Sequence, residues 1–295
     1  MNVLSLFDGM SCGRIALDRA GIHVHNYYAS ELDKYAITVT TANWPDTIQL
    51  GDVTKWHDWD IDWSSIDLLI GGSPCQGFSF AGKQLAFDDP RSKLFFVYVD
   101  ILNHIKAFNP DVKFMLENVK MKKEHLTIIS EQLGVEPVFI NSALVSAQNR
   151  QRYYWANWEF GQPKDKGIML SDIIDNGVTD REKSYCIDAC YTKGTTLKDY
   201  FQRSKRQLIF FVGRGNNPSG FRAINGKTPT LTACRWEQNN FLASVSGYRK
   251  LTPVECERLQ TVPDNYTDHV SNTQRYKMLG NGWTVDVIAY IFKQL

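Results

Sequence analysis

Cys75 stands in Gly71-Gly72-Ser73-Pro74-Cys75-Gln76-Gly77-Phe78-Ser79, a tight polar loop of the kind that presents a thiol. Pro74 fixes the backbone angle ahead of the sulfur, and Gly77 lets a substrate come close to the main chain. The commoner fate of a cysteine is that of a small buried hydrophobe; the Gly, Pro and Gln neighbours weigh for a nucleophile instead. Other residues have types that could serve beside it. Glu117, in Leu116-Glu117-Asn118-Val119, can bind a ring nitrogen and an amino group, although a carboxyl there could also be an incidental surface acid. Arg150 and Arg152, in Gln148-Asn149-Arg150-Gln151-Arg152, alternate onto one side of an extended segment, where they can take an anion or a carbonyl. Glu31 and Asp52 are carboxylates suited to ribose hydroxyls and an adenine amino group.

These groups fall at the ends of strand-like segments, which is where an open α/β sheet binds its ligands. Ile66 to Ile70 is a short apolar run closed by two glycines and reads as the buried strand before Cys75. Val3 to Leu6, Tyr27 to Ser30, a segment near Ile48, Val112 to Leu116, Val135 to Ile140 and Tyr153 to Trp155 read as further strands. Helical stretches over Gly13–Ala20, Asp33–Asn43, Leu94–Phe108 and Glu124–Leu133 alternate with them. Strands alternating with helices predict an α/β fold with right-handed crossovers and a mostly parallel sheet.

The turn Phe7-Asp8-Gly9-Met10-Ser11-Cys12-Gly13 follows the first strand and opens a helix, so its backbone N–H groups can face a ligand. It lacks the G-x-G-x-x-G spacing of a dinucleotide site, and an ordinary βα turn explains it equally well. Acids at successive strand ends favour a nucleoside-bearing cofactor without pyrophosphate.

The chain of 295 residues has a net charge of +1 and ordinary apolar and charged fractions, so nothing global points to nucleic acid. The signal is local. Between Tyr200 and Lys250 nine basic residues face one acid, Glu237, the footprint of a polyanion-binding surface, with a plain solvated face as the alternative. Tyr200, Phe201, Phe221 and Trp236 are interleaved with them. Alternation weakens after Asn157, which places a cofactor-binding domain at 1–157 plus 273–295 and a smaller, irregular recognition domain at 158–272. Six scattered cysteines without a CxxC pair suit a reducing compartment and disfavour zinc; no metal is expected. Met1 runs straight into a strand, leaving no room for a signal peptide, and no apolar run approaches membrane-spanning length, so a cytoplasmic protein is expected.

Taken together and in order, these motifs resemble the DNA (cytosine-5)-methyltransferases over nearly the whole chain. Phe7-Asp8-Gly9 is similar to that family's first motif, with Glu31 and Asp52-Val53 at the next two cofactor positions. Gly72 to Ser79 resembles its nucleophile loop, Glu117-Asn118-Val119 its ENV motif and Gln148 to Arg152 its QxRxR motif. Arg249 to Gln260 resembles the ninth motif, Gly280-Asn281-Gly282-Trp283-Thr284-Val285 the tenth, and Thr228 to Thr232 the Thr-Leu element of the recognition region. Met10-Ser11-Cys12 carries less glycine than the first motif commonly has. That form, with the Trp of the last motif, is closer to the vertebrate de novo enzymes; the compact chain is nearer a bacterial or phage enzyme.

The resemblance implies a Rossmann-like methyltransferase that uses S-adenosylmethionine, releases S-adenosylhomocysteine and acts on a cytosine flipped from double-stranded DNA. Catalysis would fall to Cys75, Glu117, Arg152 and, in support, Arg150. The cofactor would be held by Phe7, Asp8, Gly9, Gly13, Glu31, Asp52, Val53, Pro74, Asn281, Trp283 and Val285. DNA would be met by Gln76, Ser79, Arg214, Arg222, Lys227, Thr230 and Arg235, and residues 83–93 could form a lid or a plain surface loop. A cognate restriction endonuclease is a candidate partner, and one recognition region serves a monomer. Two alternatives remain open: a tRNA cytosine-5 methyltransferase and a catalytically silent, cofactor-binding accessory protein.

Overall fold

Val3, Leu4 and Leu6 are all fully buried in the first strand, which requires cover on both faces of the sheet. The computed structural model describes residues 1–73, 90–213 and 244–295. Seven strands form the main sheet: β1 (Asn2–Leu6), β2 (Asn26–Ser30), β3 (Ile48–Gln49), β4 (Leu68–Gly71), β5 (Lys113–Val119), β6 (Val138–Asn141) and β7 (Gln151–Ala156). Their order is β3-β2-β1-β4-β5-β7-β6. The first five pair in parallel, and β7 enters antiparallel between β5 and β6. The mostly parallel α/β sheet matches the sequence reading; the insertion of β7 does not follow from it, because strand order is set by long-range pairing.

Connections leave β1 towards β2 on one side, while β4 pairs with β1 on the other. The order therefore reverses between β1 and β4, and the crevice beyond their carboxyl ends is the place for a ligand. Alternation along each strand divides the core. Val3, Leu68, Ile70 and Met115 point to one face, Leu4, Leu6, Leu69, Phe114 and Leu116 to the other. On the first face lie α1 (Cys12–Ala20) and the last helix, α9 (Val285–Phe292), joined by an Arg19–Asp286 ion pair of 2.7 Å. On the second lies α3 (Pro90–Phe108), against the short 3-10 turns of Val53–Asp58 and Trp63–Ser65. Between them in the chain, α2 (Lys34–Asn43) starts at Asp33, whose carboxylate accepts from the Tyr35 N–H at 3.0 Å. The helix between β5 and β6 is α4 (Lys123–Leu133).

After β7 the chain runs through the short helices α5 (Leu170–Ile173) and α6 (Leu197–Arg203) to an antiparallel pair, β8 (Leu208–Gly213) and β9 (Ser244–Lys250). Tyr200, Leu208 and Phe210 make a small separate core there. Then α7 (Pro253–Leu259) opens with a capping box between Thr252 and Glu255, with Pro253 in its first turn. It leads through Gln260 to α8 (Asn272–Asn281). Leu251, Cys256, Leu259, Val262 and Tyr266 belong to the same buried cluster as β1 and α1, so the chain from 251 onward packs on the sheet face. Glu257, fully buried, is satisfied by the N–H groups of Asn265 and Thr267 and by Arg275 at 2.9 Å. Among the described residues no helix is long and apolar enough to cross a membrane.

Candidate active site

The β1–α1 turn is built on three residues with left-handed backbone, Phe7 (φ 57°), Gly9 (φ 61°) and Ser11 (φ 59°). Glycine adopts this conformation freely; for Ser11 it costs roughly 1–2 kcal/mol. Hydrogen bonds offset that cost. The Asp8 carboxylate accepts from Ser5 Oγ at 2.6 Å, Tyr27 Oη at 2.7 Å and the Ser11 hydroxyl, and Ser11 also meets Thr40 Oγ1 at 2.9 Å. Burial pushes the Asp8 carboxyl up to about 6, against the pull of those hydroxyls. Here the sparse glycine of the motif is explained: a side-chain network holds the turn in shape.

Glu31, at the end of β2, is fixed by three backbone donors: Gly9 N–H at 2.8 Å, Leu32 N–H at 2.7 Å and Asp33 N–H at 2.8 Å. A carboxylate has about four lone-pair sites, so it still has acceptor capacity towards the cavity. Asp33 in turn pairs with Lys277 of α8 at 2.6 Å. Asp52 caps the Val53–Asp58 turn, accepting from Thr54 N–H at 2.9 Å and Thr54 Oγ1 at 2.8 Å, which hold its carboxyl below the usual range.

At the far side of the crevice, β4 delivers Gly72 and Ser73, which lead towards Cys75. Asn118 Nδ2 donates to Ser73 Oγ at 3.3 Å and to its carbonyl at 3.4 Å, tying Ser73 to the end of β5. Glu117 is buried, and its Oε1 meets Arg152 Nε at 2.8 Å. The register of β5 with β7 sets Val119 opposite Arg152 and Glu117 opposite Tyr154, so Glu117 and Arg152 are diagonal neighbours on one face. Trp283 Nε1 donates to Glu117 Oε2 at 3.1 Å.

Arg150 is 3% exposed, and its guanidinium is spent on main chain. It donates to the carbonyls of Gly282 at 2.7 Å, Gly280 at 3.3 Å and Ile187 at 3.3 Å, and reaches Cys186 Sγ at 3.3 Å. Burial, with Arg152 alongside, pulls its pKa down. Arg150 therefore positions the 280–282 segment, while Arg152 faces Glu117. Gly280 itself has no room for a side chain, because a Cβ there would fall 2.2 Å from the Asp188 carbonyl carbon.

A cavity of about 410 Å³ joins these parts, within the size range of ligand pockets. Phe7, Asp8, Gly9 and Glu31 line one end, Glu117, Arg150 and Arg152 the other, with Asn281 and Trp283 also on its wall. Four expected cofactor residues do not line it. Gly13 is a packing position, since a Cβ there would lie 2.5 Å from Ile70 Cδ1. Val53 and Val285 are core, and Asp52 serves as a turn cap. Pro74, Cys75, Gln76, Ser79, Arg214, Arg222, Lys227, Thr230 and Arg235, and residues 83–89 of the expected lid, lie outside the described residues.

Lys277 and Met278 also line the cavity, and no sequence signal marked them, because α8 reaches the site only by tertiary packing. Cys12 lines it as well, but burial pushes its thiol up to about 12, so it stays protonated and is no competing nucleophile. Lys120, Lys122 and Lys123, all exposed, follow directly after Glu117-Asn118-Val119; a short-range charge count would have found them.

A family model described as C-5 cytosine-specific DNA methylase matches residues 1–295. Type II methyltransferase M1.ScrFI of Lactococcus lactis subsp. cremoris is 32% identical, covering 99% of this chain and 77% of its own length. Type II methyltransferase M.NlaX of Neisseria lactamica is 32% identical over 99% of this chain and 95% of its own. M.HhaI of Haemophilus parahaemolyticus is 29% identical over 99% and 93%. Among solved structures, the Entamoeba histolytica methyltransferase EhMeth shares the fold at a TM-score of 0.69 and 18% identity, covering 100% of this chain and 97% of that one. A putative DNA modification methyltransferase encoded within an E. coli prophage does so at 0.59 and 20%, covering 100% and 98%.

Proposed function

We propose, for a chain that belongs to the C-5 cytosine-specific DNA methylase family, that it methylates carbon 5 of a cytosine in double-stranded DNA through a covalent adduct with Cys75. The observation that carries this reading is one cavity holding Glu31 at one end and the Glu117–Arg152 pair at the other, beside the strand that leads to Cys75. Glu31 would hold ribose hydroxyls of S-adenosylmethionine, and Phe7 and Trp283 would give it apolar walls. The fit rests on the cavity's volume, on the spare acceptor capacity of Glu31 and on the absence of a phosphate-binding glycine pattern.

Cytosine carbon 5 is too weak a nucleophile to react unaided. Cys75, as thiolate, adds to carbon 6, and the displaced electron pair makes carbon 5 enamine-like. Glu117 supports that shift at ring nitrogen 3 and the exocyclic amino group, and Arg152 holds the carbonyl at position 2. S-Adenosylmethionine supplies, when bound, the electrophilic methyl group that carbon 5 takes up. A base then removes the proton from carbon 5, the ring regains its double bond, and the Cys75 thiolate leaves. A ring reached from both sides must first leave the stack.

We assign the cofactor chemistry to 1–157 with 273–295 and target recognition to 158–272, of which 251–272 packs against the main sheet. Basic residues between Tyr200 and Lys250 would meet phosphates and bases, except Arg249, which pairs with buried Glu255 at 2.7 Å. Lys120, Lys122 and Lys123, beyond the base-reading strand end, would add phosphate contacts. A monomer acting alone or beside a cognate restriction endonuclease in the cytoplasm fits this picture, and no metal is required by the chemistry.

The test is nucleoside mass spectrometry after incubation with S-adenosylmethionine and unmodified DNA, with total tRNA in parallel. 5-Methylcytosine in DNA is expected. Its absence from DNA and appearance in tRNA would move the activity to RNA. Cys75→Ala should abolish transfer while DNA binding persists; comparable turnover by that variant would remove Cys75 from the mechanism.

A further inference from the structure

Trp283 stands where the two ends of the cavity meet. It lies on the loop between α8 and α9, and its ring edge abuts the first turn of α1, where a Cβ at Gly13 would come within 3.5 Å of Cζ3. Its Nε1 donates to Glu117 Oε2 at 3.1 Å, while Arg152 Nε holds Oε1 at 2.8 Å. Neither group can accept a hydrogen bond. Two donors on the two oxygens fix the plane of the carboxylate, and its remaining acceptor directions are the ones open to a substrate. Gly72 closes the arrangement from β4. A Cβ there would lie 2.9 Å from Trp283 Nε1 and 3.1 Å from Glu117 Oε2. Its backbone is not in the left-handed region, so the constraint on this position is space.

We infer that Trp283 is a positioning residue for Glu117 and that it couples the cofactor pocket to the target-base site. The same indole that forms a wall of the cavity orients the carboxylate that meets the base. Whatever packs on the ring restrains the indole and, through its N–H, the carboxylate. Coupling of this kind is reciprocal, so base binding tightens the cofactor site in turn. The inference rests on the proposed function for the identity of the two ligands.

The experiment has a ligand-free arm and a kinetic arm. In the ligand-free protein, thermal unfolding is measured for wild type, Trp283→Phe, Glu117→Ala and the double variant. A direct contact predicts that the double variant is destabilised by less than the sum of the two single variants; additive destabilisation overturns the inference. In the kinetic arm, Trp283→Phe keeps an aromatic wall and removes the donor. It should lower kcat by about tenfold to a hundredfold, the worth of a hydrogen bond to a charged group. The Kd for S-adenosylhomocysteine, measured by titration calorimetry, should rise by no more than about threefold, because the wall remains. Gly72→Ala, which wedges between the indole and the carboxylate, should show the same split. An unchanged kcat in Trp283→Phe, or a Kd that rises as much as kcat falls, overturns the positioning role. A wild-type protein inactive on DNA would overturn the DNA reading instead, and the ligand-free cycle separates the two failures.

Discussion

Arg150 offers the sharpest test of how the site is held. Its guanidinium reaches the carbonyls of Gly280, Gly282 and Ile187 from a buried position, and only the Gly282 bond, at 2.7 Å, is short. Arg150→Ala removes one short charge-assisted bond, three long ones to the Gly280 and Ile187 carbonyls and the contact with Cys186 Sγ, while Gly282 keeps the Gln260 Nε2 donor at 3.1 Å. Weighting the short bond fully and the long ones partly gives a destabilisation of about 3–5 kcal/mol. With an unfolding entropy of about 2.1 cal/mol/K per residue over 295 residues, that is a fall in Tm of about 5–8 °C. Arg150→Lys restores a point charge without the planar fork and should recover roughly half of the stability. Because the 280–282 segment carries Asn281 and leads to Trp283, S-adenosylhomocysteine binding should weaken by about tenfold or more, one factor of ten for each 1.4 kcal/mol. Differential scanning calorimetry and titration calorimetry read the two effects. An unchanged Tm with an effect confined to the KM for DNA would refute the reasoning and make Arg150 a substrate contact.

The Ser11 turn gives a ranking. Ser11→Ala keeps the left-handed backbone cost and removes the bonds to Asp8 and Thr40, for a destabilisation of about 1–3 kcal/mol, whereas Ser11→Gly relieves the backbone and should cost less. Equal effects by chemical denaturation would show that the left-handed backbone at Ser11 carries no cost. Asp8 gives a pH dependence. Its folded-state pKa of about 6 lies above the ordinary 3.8, so its contribution to stability is fully present below about 3.8 and is lost as pH rises through about 6. The Tm difference between wild type and Asp8→Asn should therefore favour wild type more at pH 4.5 than at pH 7.5; a constant difference would sink this assignment. Replacing Lys120, Lys122 and Lys123 by Ser should reduce the salt dependence of DNA affinity by about 0.9 in logarithmic slope for each phosphate no longer neutralised. An unchanged slope would take this turn off the DNA.

Much of the site was legible because its parts are local. A short apolar run closed by glycines and followed by Ser73-Pro74-Cys75 announces a strand end and its loop, and the same is true of Glu31 after β2 and Glu117 in β5. Strand formation, turn chemistry and helix capping act over a few residues, and so the alternation that predicts the α/β class survives in one dimension. The family follows from those local motifs in order, and the match over residues 1–295 bears it out. What the tertiary structure alone decided is which of these parts meet. The position of β7 between β5 and β6 sets Arg152 diagonal to Glu117. Packing of α8 and α9 brings Lys277 to Asp33 and Trp283 to Glu117 across 244 and 166 residues of chain. The fold also commits the Arg150 guanidinium to the 280–282 carbonyls on the cavity wall, packs Gly13, Val53 and Val285 into the core, and gives Asp52 a capping bond to Thr54. Contacts at such separations depend on how the buried faces of distant elements fit together, and no short stretch of sequence carries that information.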